Sequence, residues 1–241
     1  MNAKSENPSA ANRSDTTAGV LKRGGTVVAF LVLIAAVLFL SAGRIDWTWG
    51  WVYLGISLLF MAVNAAIILR INPEIAEERT RSGETKKWDK VVGGLWGLAI
   101  YIALPLTAGL DVRGGWSGGM GIGWHIAGAA LLAIGYGFSG WSMAANAFFS
   151  TAVRIQSDRG HTVCSSGPYR FIRHPGYVGF ILQSVSLPLL LGSWWAMIPG
   201  VAAAVLMIIR TALEDRTLQG ELPGYVEYSQ KVRCRLIPGV W

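Results

Sequence analysis

Charge is scarce in this chain. Only 15% of its 241 residues are Asp, Glu, Lys or Arg, against about 25% in an ordinary soluble domain. Cysteine is scarcer still: Cys164 and Cys234 are the only two, too few for a disulfide framework and without metal-ligand spacing. No P-loop, G-x-S-x-G, H-E-x-x-H or C-x-x-C pattern occurs, so no metal site is expected. The glycines of GGWSGGMGIG at 114–123 follow no strand-like run, and they read as a flexible loop, not a dinucleotide fingerprint. The net charge of +7 does not point to nucleic acid, because the basic residues form no single patch.

What the chain has instead is apolar mass gathered into blocks: 52% hydrophobic residues, 11 Trp and 30 Gly. A membrane span needs about 20 mostly apolar residues. Six blocks approach or meet that: 26–42, 47–69, 91–110, 124–149, 177–191 and 194–213. The second opens with Trp47, Trp49 and Trp51, expected as an interfacial belt. The third carries Pro105 as a kink. The fourth is rich in Gly and Ala, which suits close helix packing. The last two are separated by Gly192 and Ser193 alone, which predicts a tight helical hairpin. Residues 1–23 are polar and expected to be a disordered tail. The block after them is too long for an ordinary signal sequence and is expected as a retained span. Three parts follow: the tail 1–23, a four-span membrane region 24–149, and a catalytic region 150–241.

Basic residues orient the spans. Of the 21 Lys and Arg, 19 lie in the N-terminal tail, in the loops after the second and fourth blocks, and at or beyond the end of the sixth; only Arg44 and Arg113 fall in the opposite loops. The alternation holds at each crossing. The positive-inside rule therefore predicts an all-α integral membrane protein of about six spans with both termini cytoplasmic. Both cysteines then face the reducing side, and no organelle address is evident, so a bacterial cytoplasmic membrane is the expected location.

One polar segment carries most of the chemistry. Residues 156–179 read QSDRGHTVCSSGPYRFIRHPGYVG, pressed between two spans, where irregular backbone must be satisfied by protein or line a cavity. Pro175 suits the first turn of a helix and His174 the capping position. That is either a plain helix start or an anion site, because a helix N-terminus offers N–H groups and partial positive charge. Gly176 and Gly179 would let a ligand approach the backbone, and Tyr169 and Tyr177 could pack on a planar ring. Arg210 and Glu214 are four apart on one helix face: either an intrahelical ion pair or, as Arg210 follows directly on Met-Ile-Ile, a group facing a partner or a cavity. Asp215 and Arg216 add to this charged cluster. His125 is expected at the interface, Asn64 and Asn146 bonding between helices, and 72–90 as a solvated amphipathic connection.

Taken together, GPYRFIRHPGYVG, the R-x-x-x-E of Arg210 and Glu214, and the tail LPGYVEYSQKVRCRLIP resemble the isoprenylcysteine carboxyl methyltransferase family, part of a wider group that includes phospholipid methyltransferases. The resemblance spans about residues 146–241. It implies S-adenosylmethionine as methyl donor, with Gln156, His161, Thr162, Val163, Cys164, Tyr169, His174, Pro175, Gly176, Tyr177 and Glu214 at donor-binding positions and Arg210 at the acceptor contact. It places His174, Arg210 and Glu214 at the centre of the reaction. The sequence departs from the family where Asp215 replaces the commoner second Glu and Val163-Cys164 a Leu-Val pair. The acceptor implied is lipidic or apolar, met from the bilayer at the cytoplasmic face.

Two other classes compete. An NADPH-dependent reductase related to sterol reductases would need cations for a 2′-phosphate, and Arg154 and Arg159 are candidates. A transporter or sensor would show inverted repeats or ionisable residues deep in mid-span, and neither is seen.

Overall fold

Proline, glycine and asparagine set where the helices stop and start. The computed structural model describes residues 25–26, 28–71, 85–150 and 152–241. The tail 1–23 and positions 72–84 of the expected connection lie outside the described residues. Among the described residues there is no strand. The helices are α1 (Val28–Ala42), α2 (Thr48–Ile71), α3 (Lys87–Gly114), α4 (Ile122–Ala145), α5 (Pro175–Leu191), α6 (Met197–Glu221) and α7 (Tyr225–Lys231).

Helices α2, α3, α4 and α6 are long and apolar enough to cross a membrane, whereas α1 and α5 are shorter apolar helices. At 1.5 Å per residue, the 17 residues of α5 reach only part of the way across a hydrocarbon core of about 30 Å. Large apolar side chains cover the outer surface, among them Leu40, Leu59, Ile122 and Ile198. A surface so apolar belongs against lipid, and the chain is an integral membrane protein.

Several boundaries differ from the expected ones, each for a local reason. The fourth span stops at Ala145, not 149, because Asn146 turns extended and its Oδ1 accepts the Phe148 N–H at 2.9 Å. Asn146 thus bonds its own loop at this contact. The sixth starts at Met197 and runs on to Glu221, past the charged residues, since losing apolar character ends a membrane block without ending a helix. Pro105 has no N–H to offer the turn before it, and a π-helical stretch, Ala99–Ala103, stands there. Gly192 ends α5 in the left-handed conformation at φ 77°, and Ser193 N–H reaches back to the Pro188 carbonyl at 2.9 Å. This closes the α5–α6 hairpin.

The glycines of α4 do allow close packing. A Cβ on Gly135 would sit 2.9 Å from the Gly179 carbonyl, and one on Gly179 would sit 2.5 Å from the Gly135 carbonyl. The two helices therefore meet backbone to backbone, which brings the start of α5 under the end of α4. Protein packing covers part of the tryptophan belt and His125. Trp47 is buried and only Trp51 of the three is well exposed. His125 is buried too, stacked on Trp49 with ring centroids 4.2 Å apart and bonded through Nδ1 to the Leu190 carbonyl at 2.8 Å. At the same end of the molecule the buried Asp111 carboxylate accepts from the hydroxyls of Ser117 and Ser193 and ties the loop after α3 to the α5–α6 turn.

Candidate functional site

The polar segment between α4 and α5 folds back over the charged ends of α5 and α6. It lines a cleft that is open to solvent. Short 3-10 turns at Ser157–Arg159 and Gly167–Arg170 bend the segment, with Gly160 and Gly167 at φ 64° and 54°.

Nine of the eleven residues expected at the donor line this one cleft: His161, Thr162, Val163, Cys164, Tyr169, His174, Gly176, Tyr177 and Glu214. Gln156 and Pro175 stand behind it. Gln156 is 1% exposed and its amide is taken up by protein, Nε2 donating to the Phe148 carbonyl at 2.8 Å and Oε1 accepting from Arg159 at 2.7 Å. Pro175 is buried as the first residue of α5.

His174 occupies the capping position without a side-chain cap bond. Its Nε2 instead lies 3.2 Å from Asp215 Oδ1 and 3.3 Å from the Tyr225 hydroxyl. Its ring is stacked parallel with Tyr177, centroids 5.7 Å apart. Asp215 is the hub of this end of the molecule. Fully buried, it receives Arg173 through both oxygens at 2.7 and 3.0 Å, Arg235 at 2.9 Å, Gln219 at 2.8 Å and the Tyr225 hydroxyl at 2.9 Å. Arg173 also donates to the Val232 and Arg233 carbonyls, both at 2.8 Å, while the backbone N–H groups of Arg173 and His174 bond Cys234 and Arg235. The C-terminal tail is thereby fastened beneath the start of α5. Burial opposes the charge on Arg173, but the bonds to Asp215 outweigh it and its pKa rises. Burial and then Asp215 push the Tyr225 hydroxyl up, so it stays a proton donor.

Arg210 does not stand alone with Glu214. Its Nε and Nη2 bond Asp89 of α3 at 2.7 and 3.1 Å, with Arg210 6% and Asp89 3% exposed. The guanidinium lies 5.5 Å from the Tyr177 ring centre, and the Tyr177 hydroxyl donates to Glu214 Oε2. Asp89, Arg210, Tyr177 and Glu214 thus form one chain of contacts from α3 to the cleft. Asp89 departs from the expected solvated connection 72–90, because it is buried in the first turn of α3. The available signal was a lone acid among Lys86, Lys87 and Lys90 at the edge of an apolar block, with a deep arginine elsewhere needing a counter-charge. Tyr225 and Tyr228, which the sequence presents only within a tail motif, also stand in the cleft wall.

His161 offers a pH readout. Its pKa is lowered, first by burial and then by Arg154 and Arg159. Nδ1 accepts the Gln156 N–H at 3.2 Å, a bond that only the neutral ring can make at that atom. A group whose folded pKa lies below its ordinary value contributes stability above that value and loses it as pH falls through the folded one. Thermal unfolding followed downward from pH 7 should therefore show a loss of stability beginning below about 6.5 that is absent in His161→Asn. Parallel curves for the two proteins would remove His161 as its source.

Residues 128–220 match the model of the Isoprenylcysteine carboxyl methyltransferase (ICMT) family. No curated protein matches the chain. The matched stretch runs from within α4 to the end of α6, beginning earlier than the motifs suggested and stopping short of the tail. It bears out the resemblance, and with the apolar helices it supports a membrane methyltransferase.

Proposed function

We propose that this protein transfers a methyl group from S-adenosylmethionine to a lipidic or apolar acceptor at the cytoplasmic face of a bacterial inner membrane, the acceptor being an isoprenylcysteine-type carboxylate or a related lipid. The observation that carries the reading is the gathering of the donor-type residues of the polar segment 156–179 and of Glu214, far along the chain, around one cleft. The cleft suits the donor chemically. Its Glu214 carboxylate can face a cation, its aromatic walls Tyr169 and Tyr177 a planar ring, and Gly176 keeps backbone close to the wall, where a Cβ would meet Phe149 at 2.7 Å.

When bound, S-adenosylmethionine supplies a methyl already activated on a cationic sulfonium, so the protein needs no nucleophile of its own. The chain's residues bind, orient and exclude water. Glu214 accepts from the donor's amine or hydroxyls. The start of α5, with His174 beside it, holds the donor's carboxylate through the partial positive charge of the helix end. Arg210 orients an ionised acceptor without losing its own proton. The donor comes from the cytoplasm and the acceptor from the bilayer. With α1 and α5 counted as crossings, the six-span topology keeps both termini and the cleft on the positive, cytoplasmic side.

The reductase reading is weaker by a specific contact. Arg154 bonds Asp158 at 3.2 Å and Arg159 bonds Gln156 at 2.7 Å, so both cations are already engaged by protein groups. Calorimetric titration of the detergent-purified protein should show S-adenosylmethionine binding and no NADPH binding. A folded protein that takes up NADPH and not S-adenosylmethionine would overturn the proposal.

A further inference from the structure

The cleft is held from a part of the chain that the family match does not reach. Asp89 lies in the first turn of α3, 39 residues before the matched stretch begins at 128. Its carboxylate is 3% exposed and has two kinds of partner. Oδ1 accepts from Arg210 Nε at 2.7 Å, while Oδ2 accepts from Arg210 Nη2 at 3.1 Å and from the backbone N–H of Val153 at 2.8 Å. Val153, itself buried, belongs to the rim of the cleft. The neighbouring Lys86 adds to the grip: its N–H bonds the Val153 carbonyl at 3.3 Å and its Nζ reaches Glu221 at 2.7 Å. The first turn of α3 therefore grips the cleft rim and α6 together.

We propose that Asp89 is a positioning residue for the site, one buried carboxylate that sets the Arg210 guanidinium against Tyr177 and at the same time holds the Val153 rim of the donor cleft. This rests on the donor-binding reading above. The two duties are chemically separable. The rim needs only an acceptor oxygen at the Oδ2 position, which an amide can supply. Arg210 needs a carboxylate, because an Asn placed to serve Val153 would turn its NH₂ toward the Arg210 Nε–H, donor against donor. Charge at this position thus serves Arg210, and the oxygen serves the donor cleft. The membrane region before residue 128 becomes part of the site's machinery and not merely its anchor.

The separation gives the test. S-adenosylmethionine binding is measured by calorimetry, and thermal unfolding in parallel, for the wild type, Asp89→Ala, Asp89→Asn and Val153→Pro. Asp89→Ala should weaken donor binding about tenfold, the order expected for one lost buried hydrogen bond. Asp89→Asn should restore it to within about twofold of wild type while still lowering stability, because Arg210 loses the carboxylate that its Nε meets at 2.7 Å. Val153→Pro deletes the same N–H and leaves the Arg210 pair in place, so it should match Asp89→Ala in donor affinity, and it decides the matter if Asp89→Ala does not fold. Wild-type affinity in Val153→Pro, or a loss in Asp89→Asn as large as in Asp89→Ala, would overturn the inference. Failure of the wild type to bind the donor would instead sink the function on which it rests.

Discussion

Asp215→Ala should release the C-terminal tail and cost about 3–5 kcal/mol of stability, the usual consequence of removing one partner from a buried ion pair. Arg173 would be left buried at 6% exposure with its two carboxylate bonds gone, and Arg235, Gln219, Tyr225 and His174 would each lose a partner. The tail after α7 is fastened next to Arg173 by backbone bonds from Arg173 and His174 to Cys234 and Arg235, so its freedom depends on Arg173 staying where Asp215 puts it. Limited proteolysis and hydrogen exchange should show residues 232–241 opening in the variant while α2 and α4 stay protected. A tail that remains protected would mean that the backbone bonds alone suffice. The same geometry bears on His174. Because its Nε2 lies against Asp215, its replacement touches stability as well as the donor, and loss of binding in a His174 variant has to be judged beside its melting curve.

Arg210→Lys should abolish most turnover, by about 10²-fold or more, with donor affinity changed by no more than about threefold. Lysine keeps a charge for Asp89 but lacks the planar fork that can grip a carboxylate in one orientation. Misplaced acceptor geometry alone is worth losses of this size. Arg210→Ala should show the same catalytic loss with an added fall in stability, because Asp89 then stays buried without a cation. Donor binding is spared in both, since Asp89 still holds the Val153 N–H. Methyl transfer from labelled S-adenosylmethionine, with a prenylcysteine carboxylate and a membrane lipid extract as acceptor probes, checks this. Unchanged turnover in Arg210→Lys would remove Arg210 from the acceptor role.

The two replacements differ in how far the sequence foretold them. Arg210 and Glu214 were legible as a pair at helix spacing, and the polar segment 156–179 as a ligand-bearing insert between spans. The actual partner of Arg210 lies 121 residues away along the chain, and the acid among lysines at the edge of an apolar block does not say which arginine it meets. Asp215 was visible as a charge in a cluster and as a departure from a motif, yet nothing in the sequence says that it collects two arginines, a glutamine, a histidine and a tyrosine. The expected ends of the spans moved by up to eight residues, as at Leu213 against Glu221, because hydropathy reports where lipid contact ends and hydrogen bonding decides where a helix ends.

By itself, then, the sequence determined that this chain is helical and lives in a membrane, which block follows which, and which stretch bears the methyltransferase motifs. Those properties depend on composition and on spacing within about 20 residues, and the cost of unsatisfied backbone in lipid makes them nearly obligatory. The tertiary structure alone decided which charges meet. A buried ion must find its counter-ion wherever packing puts one. The close α4–α5 crossing and the approach of α3 to α6 set Asp89 against Arg210 and Asp215 among its partners.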